Sequence, residues 1–262
     1  INSYNPSANA WLLKASVLQK QKLFEQSLAA IDQAIVIEPK NFLSRMTRAT
    51  LLINDGKYDG ALTDVNVVLN EIPNEPRAKY LNAIIMSALG KFEKSSDAIS
   101  EVITTISAVP EEIIRTTPEY YFLAGQANFN HRNFSEARRY LSKYLNHVEN
   151  DLTTTKMIAA IDIETEDYLA AIRILNKANL RNPNDPNVLS LIGVAYRGLG
   201  DYAKSTYYFS QVAELVPDSS HPIKDLARTK LKQGKYSEVI RELSNLSSND
   251  VNPVEIGLLL ID

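Results

Sequence analysis

The 262 residues include no cysteine, one tryptophan, three methionines and three histidines. Without cysteine there is no thiol nucleophile, no disulfide and no thiolate metal site. His131, His147 and His221 are too far apart for a helical metal motif, and none stands in a His-Glu-x-x-His arrangement, so no metal or cofactor is expected. Long hydrophobic runs are missing too: no stretch approaches the roughly 20 apolar residues that a bilayer-crossing helix needs. Nor is there a surplus of positive charge. A net charge of −3 and a pI near 5.8 argue against a nucleic-acid binder, whose affinity comes largely from neutralising phosphates. Gly193, Gly198 and Gly200 outline a phosphate loop only superficially, because Leu199 stands where its lysine belongs. The acidic groups Glu111–Glu112 and Glu164, Glu166 and Asp167 lie at helix starts or turns, where such residues are expected without any acid–base role. No catalytic residue is nominated, and the chain is not expected to be an enzyme.

What the chain does have is a period. Small residues recur in steps of 34 at Ala15, Ala49 and Ala83 and again at Gly125, Ala159, Gly193 and Ala227. A second ladder runs twelve residues later through Ser27, Ala61, Ser95, Ala137, Ala171, Ser205 and Val239. Self-similarity at this period marks an array of stacked units. Each unit reads as two antiparallel helices, A and B, which can cross closely only where both carry small side chains. In the first, Trp11, Ala15 and Leu18 mark helix A; Phe24, Ser27, Leu28, Ile31 and Ala34 mark helix B before Pro39. The turn between them is Gly56-Lys57-Tyr58, Gly90-Lys91-Phe92, Gly200-Asp201-Tyr202 and Gly234-Lys235-Tyr236, with glycine suited to a left-handed helix end and the aromatic stapling the next helix. Lys22, Arg132 and Glu166 replace that glycine in units one, four and five, and Pro73, Pro183 and Pro217 close others as Pro39 does.

In these residues the chain resembles the tetratricopeptide repeat (TPR) family over nearly its whole length. The resemblance implies an all-α fold, a right-handed α-α superhelix of about seven hairpins plus a terminal partial repeat. Residues 1–117 would hold repeats one to three with an insertion at their end, and 118–262 repeats four to seven with the partial eighth, in one continuous solenoid. The insertion follows from spacing, since Ala83 and Gly125 are 42 residues apart. It falls around Ser107 to Pro118, where Pro110-Glu111-Glu112 starts an added helical turn and Pro118 opens the next repeat. It either bends the superhelix, lengthens one hairpin or is a tolerated surface loop. Both ends read as cut, or else the apolar residues Ile256, Leu258, Leu259 and Ile261 form a terminal cap.

The resemblance places the concave wall at the second, fifth, ninth and twelfth positions of each helix A. These give an apolar and aromatic zone in repeats two to four, with Leu43, Met46, Tyr80, Phe122, Gln126 and Phe129, and a basic zone from Lys156 through Arg197, Lys224 and Arg228. The candidate ligand-binding residues are Tyr80, Phe122, Gln126, Phe129, Lys156, Arg197, Lys224 and Arg228. Such a wall suits an extended peptide or a partner helix with acidic residues at one end. The alternative is that Tyr80, Phe122 and Phe129 pack on neighbouring helices. No repeat pairs Lys with Asn at the fifth and ninth positions, which argues against a co-chaperone. No array position repeats a polar pair that would read bases. Trp11 sits at a core position, which leaves direct glycan binding with little support.

A narrower resemblance covers about Tyr120 to Leu246. Ile158-Ala159-Ala160, the run Leu191 to Tyr196, Gly200-Asp201-Tyr202-Ala203-Lys204 and Leu226-Ala227-Arg228 are similar to the TPR lipoprotein family of bacterial PEP-CTERM protein sorting. That similarity implies a non-enzymatic scaffold of the cell envelope, periplasmic or anchored at the outer membrane, linked to exopolysaccharide export. A cytoplasmic adaptor, or the regulatory array of an enzyme, are the alternatives.

Overall fold

Among residues 6–239, which the computed structural model describes, fourteen helices run their full length and a further helical stretch begins at residues 236–239. The ends read above as cut lie outside the described residues. Repeat one is α1 (Ala8–Lys20) and α2 (Phe24–Ile37), repeat two α3 (Phe42–Asn54) and α4 (Tyr58–Glu71), and repeat three α5 (Pro76–Ala88) and α6 (Phe92–Ser107). After the short α7 (Glu111–Thr116), repeat four is α8 (Glu119–Asn130) and α9 (Phe134–Leu145). Repeat five is α10 (Leu152–Glu164) and α11 (Tyr168–Arg181), repeat six α12 (Pro186–Gly198) and α13 (Tyr202–Leu215), and repeat seven opens with α14 (His221–Lys232). The described residues up to Ala137 form one compact unit and those from Arg138 onward a second.

The ladder residues sit at the hairpin crossings. Ala15, Ala49, Ala83 and Ala159 on helices A, and Ser27, Ala61, Ala137, Ala171 and Ser205 on helices B, have no solvent exposure. At Gly193 a Cβ would stand 3.0 Å from the Phe209 ring of the facing helix, so glycine is what allows that aromatic into the core. Five of the seven helices A, α1, α3, α5, α10 and α12, start on side-chain caps. Asn41, Asp151 and Asp185 each accept the backbone N–H three residues on, at 2.9, 2.7 and 2.9 Å, satisfying a donor that the helix itself leaves unpaired.

The A-to-B turns share one geometry whatever residue occupies them. Gly56, Gly90, Gly200 and Gly234 have φ between 71° and 77°, and Lys22, Arg132 and Glu166 take the same left-handed conformation at 61°, 58° and 60°. In six of the seven the following amide reaches back six residues inclusive, as Lys57 N does to Leu52 O at 2.8 Å and Leu23 N to Leu18 O at 2.9 Å. The aromatic staple is less uniform than expected. Tyr58 and Tyr168 pack on their cores. Phe24, Phe92 and Tyr236 stand 57%, 70% and 60% exposed, because no side chain among the described residues covers them. Tyr168 also accounts for Gly198: a Cβ there would fall 2.3 Å from the tyrosine ring.

The insertion lengthens one hairpin. α6 has 16 residues where α2, α4, α11 and α13 have 14, and α7 follows it. Ile106 and Ile114 are buried, and the Tyr121 hydroxyl donates to Glu111 Oε1 at 2.7 Å, tying α7 down onto α8. α8 still packs on α5 and α6, as α5 packs on α3 and α4.

Two buried carboxylates reinforce the stacking. Asp64 has no solvent exposure and is held by Arg45 Nη1 at 2.6 Å and by Arg48 through Nε at 2.6 Å and Nη2 at 2.7 Å. Arg48 also reaches Asp32 of repeat one at 2.7 Å, and its two carboxylate partners, outweighing the opposing effect of burial, raise its pKa further above the ordinary arginine value. Asp162, 2% exposed, accepts from Arg138 Nε at 2.6 Å. No helix among the described residues is long and apolar enough to cross a membrane.

Candidate functional site

In the first unit the helices A stand side by side, so residues at the same repeat position, 34 apart or 42 across the insertion, come into one surface. They line an open cavity of about 660 Å³. Its lining includes Met46, Tyr80 and Phe122 from the fifth position of three successive helices A, with Leu43, Arg77 and Glu119 from the second, and Thr50 and Gln126 from the ninth. Gln19 adds a polar group from α1. The result is an apolar floor between a mixed rim and a row of uncharged hydrogen-bonding groups. Of the eight candidate residues, Tyr80, Phe122 and Gln126 are brought together here.

Phe129 does not line this cavity. Its ring lies 6.0 Å from Phe134, tilted by 57°, across the turn of its own repeat. Lining residues that the wall positions did not include are Thr47, Leu81 and Leu123 at the sixth position, and Leu51, Asn54 and Phe24. The sixth-position residues follow the floor residues directly in sequence, and that adjacency is the signal that would have found them. Ile84 and Ser87, also wall positions, line a different cavity of about 530 Å³ with Phe92 and Asn130.

Electrostatics within the first site are mild. Burial pushes the Tyr80 phenol above the ordinary tyrosine range, while Asn130 Nδ2, donating to its oxygen at 3.2 Å, pulls the other way. Tyr80 is therefore a neutral hydroxyl at physiological pH. Arg77 lies over the Phe42 ring at 5.0 Å and reaches Glu75 at 3.2 Å.

The basic residues of the second unit have partners of their own. Lys156 Nζ is 3.9 Å from Asp185, and Arg197 Nη1 is 3.0 Å from Asp225 Oδ1 and 3.3 Å from its carbonyl. Arg228 shares the same Asp225 carboxylate at 3.5 Å, and Lys224 lies next to Asp225 in sequence and has interactions of its own. The basic zone read from the sequence is thus an alternation of cations with carboxylates, since Asp185 and Asp225 fall outside the four wall positions.

Tetratricopeptide-repeat family models match two segments, residues 8–41 and 188–219. The chain is 28% identical to human (Homo sapiens) Tetratricopeptide repeat protein 6 over 131 residues, 49% of this chain and 23% of that protein. It is 30% identical to the Photosystem I assembly protein Ycf3 of Prochlorococcus marinus (strain MIT 9215) over 115 residues, 43% of this chain and 65% of that protein. The matched part therefore spans less than two thirds of either relative. Among solved structures, PilW, a type IV pilus biogenesis factor, superposes with a TM-score of 0.62 over 85% of this chain and 97% of its own, at 18% identity.

Proposed function

From an all-α solenoid of tetratricopeptide repeats, we propose a non-enzymatic scaffold that holds a segment of a partner protein against its helices A. The observation that carries this reading is the cavity of about 660 Å³, built from the same positions of successive repeats. Tyr80 and Phe122 offer aromatic surface on its floor, Met46 an adaptable one, and Gln19, Thr50 and Gln126 offer hydrogen bonds to a partner's backbone. An acidic end of the partner would have to compete with Asp185 and Asp225 for the cations of the second unit, so the apolar residues of the partner carry most of the affinity.

The resemblance of residues 120–246 to the PEP-CTERM lipoproteins supports a place in the bacterial envelope, in protein sorting and exopolysaccharide export. The fold likeness to a pilus biogenesis factor is compatible with envelope assembly work.

The test is selection of displayed peptides on the intact chain, then titration of the selected sequences against wild type and a Tyr80→Ala/Phe122→Ala variant. Loss of about tenfold or more in affinity is expected, as for truncated interface anchors. Equal affinity for both proteins would remove the cavity as the binding site.

A further inference from the structure

The cations of the helix-A wall are paired; among the described residues, those of one opposite helix of the same unit, α11, are not. α11 carries no acidic residue, and Arg173, Lys177 and Arg181 recur at intervals of four along one stripe. All three are exposed, and none makes a hydrogen bond or ion pair among the described residues. Leu169 and Leu180, on the same helix, are 64% and 84% exposed. One repeat earlier, the same positions are Arg139 and Lys143 on α9 and His147 just past its end. These have contacts of their own, Arg139 lying over the Tyr140 ring at 4.2 Å, so the α11 stripe is the main source of uncompensated charge. The two helices are neighbours: Leu145 of α9 and Lys177 and Arg181 of α11 line one shallow cavity of about 220 Å³. Glu149 lines it too and forms an ion pair with neither cation.

We propose that this outer face of α9 and α11 docks on an anionic phospholipid surface. An open helix face with cations flanked by protruding leucines is suited to the bilayer interface, where leucine reaches the acyl boundary and long basic side chains take lipid phosphates. A peptide is better served by the concave cavity of the first unit, and a nucleic acid offers nothing to Leu169 and Leu180. In the next repeat the equivalent positions hold Tyr207 and Leu215, 58% and 41% exposed, residue types that also suit an interface. This face is separate from the peptide site, so either reading can fail without the other.

The experiment is cosedimentation of the intact chain with vesicles of phosphatidylcholine alone and of phosphatidylcholine with one third phosphatidylglycerol. Binding is expected only to the anionic vesicles and should weaken as salt rises. Arg173→Gln/Lys177→Gln/Arg181→Gln should reduce it on the order of a hundredfold, about fivefold per charge. Melting of that variant should be unchanged, because exposed charges contribute little to stability. Leu169→Ser/Leu180→Ser should weaken the same binding with the charges intact. Absence of binding to either vesicle, equal binding to both, or full binding by the triple variant would overturn the proposal. So would capture of polyglutamate or DNA by a chain that ignores vesicles, which would assign the stripe to an acidic polymer.

Discussion

The Ser27 hydroxyl donates to the backbone carbonyl of Ala15 at 2.9 Å, across the crossing of α1 and α2, and both residues are wholly buried. Ser95 makes the same bond to the Ala83 carbonyl at 2.9 Å in repeat three. The two small-residue ladders are therefore in direct contact, and serine adds a side-chain bond where alanine supplies only close approach.

Ser27→Ala keeps the approach and removes the bond, so it should cost about 1 kcal/mol in denaturant unfolding. Ala171→Leu keeps no approach at all and should cost about 1–3 kcal/mol through overpacking. Unchanged unfolding of the second variant would mean that the α10–α11 crossing yields more easily than its burial indicates.

Replacing Asp64 by Asn leaves Arg45 and Arg48 facing a neutral amide inside the first unit. A loss of about 3–5 kcal/mol is expected, the range for breaking a buried pair from one side. Asp162→Asn, with one arginine partner that is itself half-exposed, should cost less. Chemical denaturation of the two variants side by side tests the ranking.

Lys22, Arg132 and Glu166 are held at positive φ where glycine is at ease. Each single change to Gly should raise stability by up to about 1 kcal/mol, since the left-handed conformation costs other residues about 1–2 kcal/mol and glycine's extra chain entropy returns part of that. Gly198→Ala should do the opposite despite its ordinary φ, by driving a methyl into the Tyr168 ring. Thermal melting reads both signs.

Burial raises the phenols of Tyr80 and Tyr208. A raised phenol holds its proton longer in the folded chain than in the unfolded one. Its stabilisation is complete below the ordinary tyrosine value of about 10 and is lost as pH rises through the folded value. Melting temperature should therefore fall as the medium becomes alkaline, and Tyr80→Phe should flatten that fall. An identical alkaline decline in the variant would show that Tyr80 does not take part.

The 34-residue period by itself determined the hairpins, their register and the residues at each crossing, because close helix contact admits only small side chains and that requirement is written at a fixed spacing. It also located the inserted helical turn, through one interval that is too long. The assignment of Tyr80, Phe122 and Gln126 to one wall came from the tetratricopeptide-repeat resemblance. The tertiary structure decided what spacing cannot carry. Phe129 turns to Phe134, and three of the stapling aromatics stand in solvent, because a ring's partners come from whichever neighbour reaches it. Asp64 finds Arg45 and Arg48 across the hairpin, and Asp185 and Asp225 neutralise a wall that reads as basic. Charge pairing depends on side-chain distances between different helices, and a linear pattern fixes only which helix, and which face of it, each charge occupies.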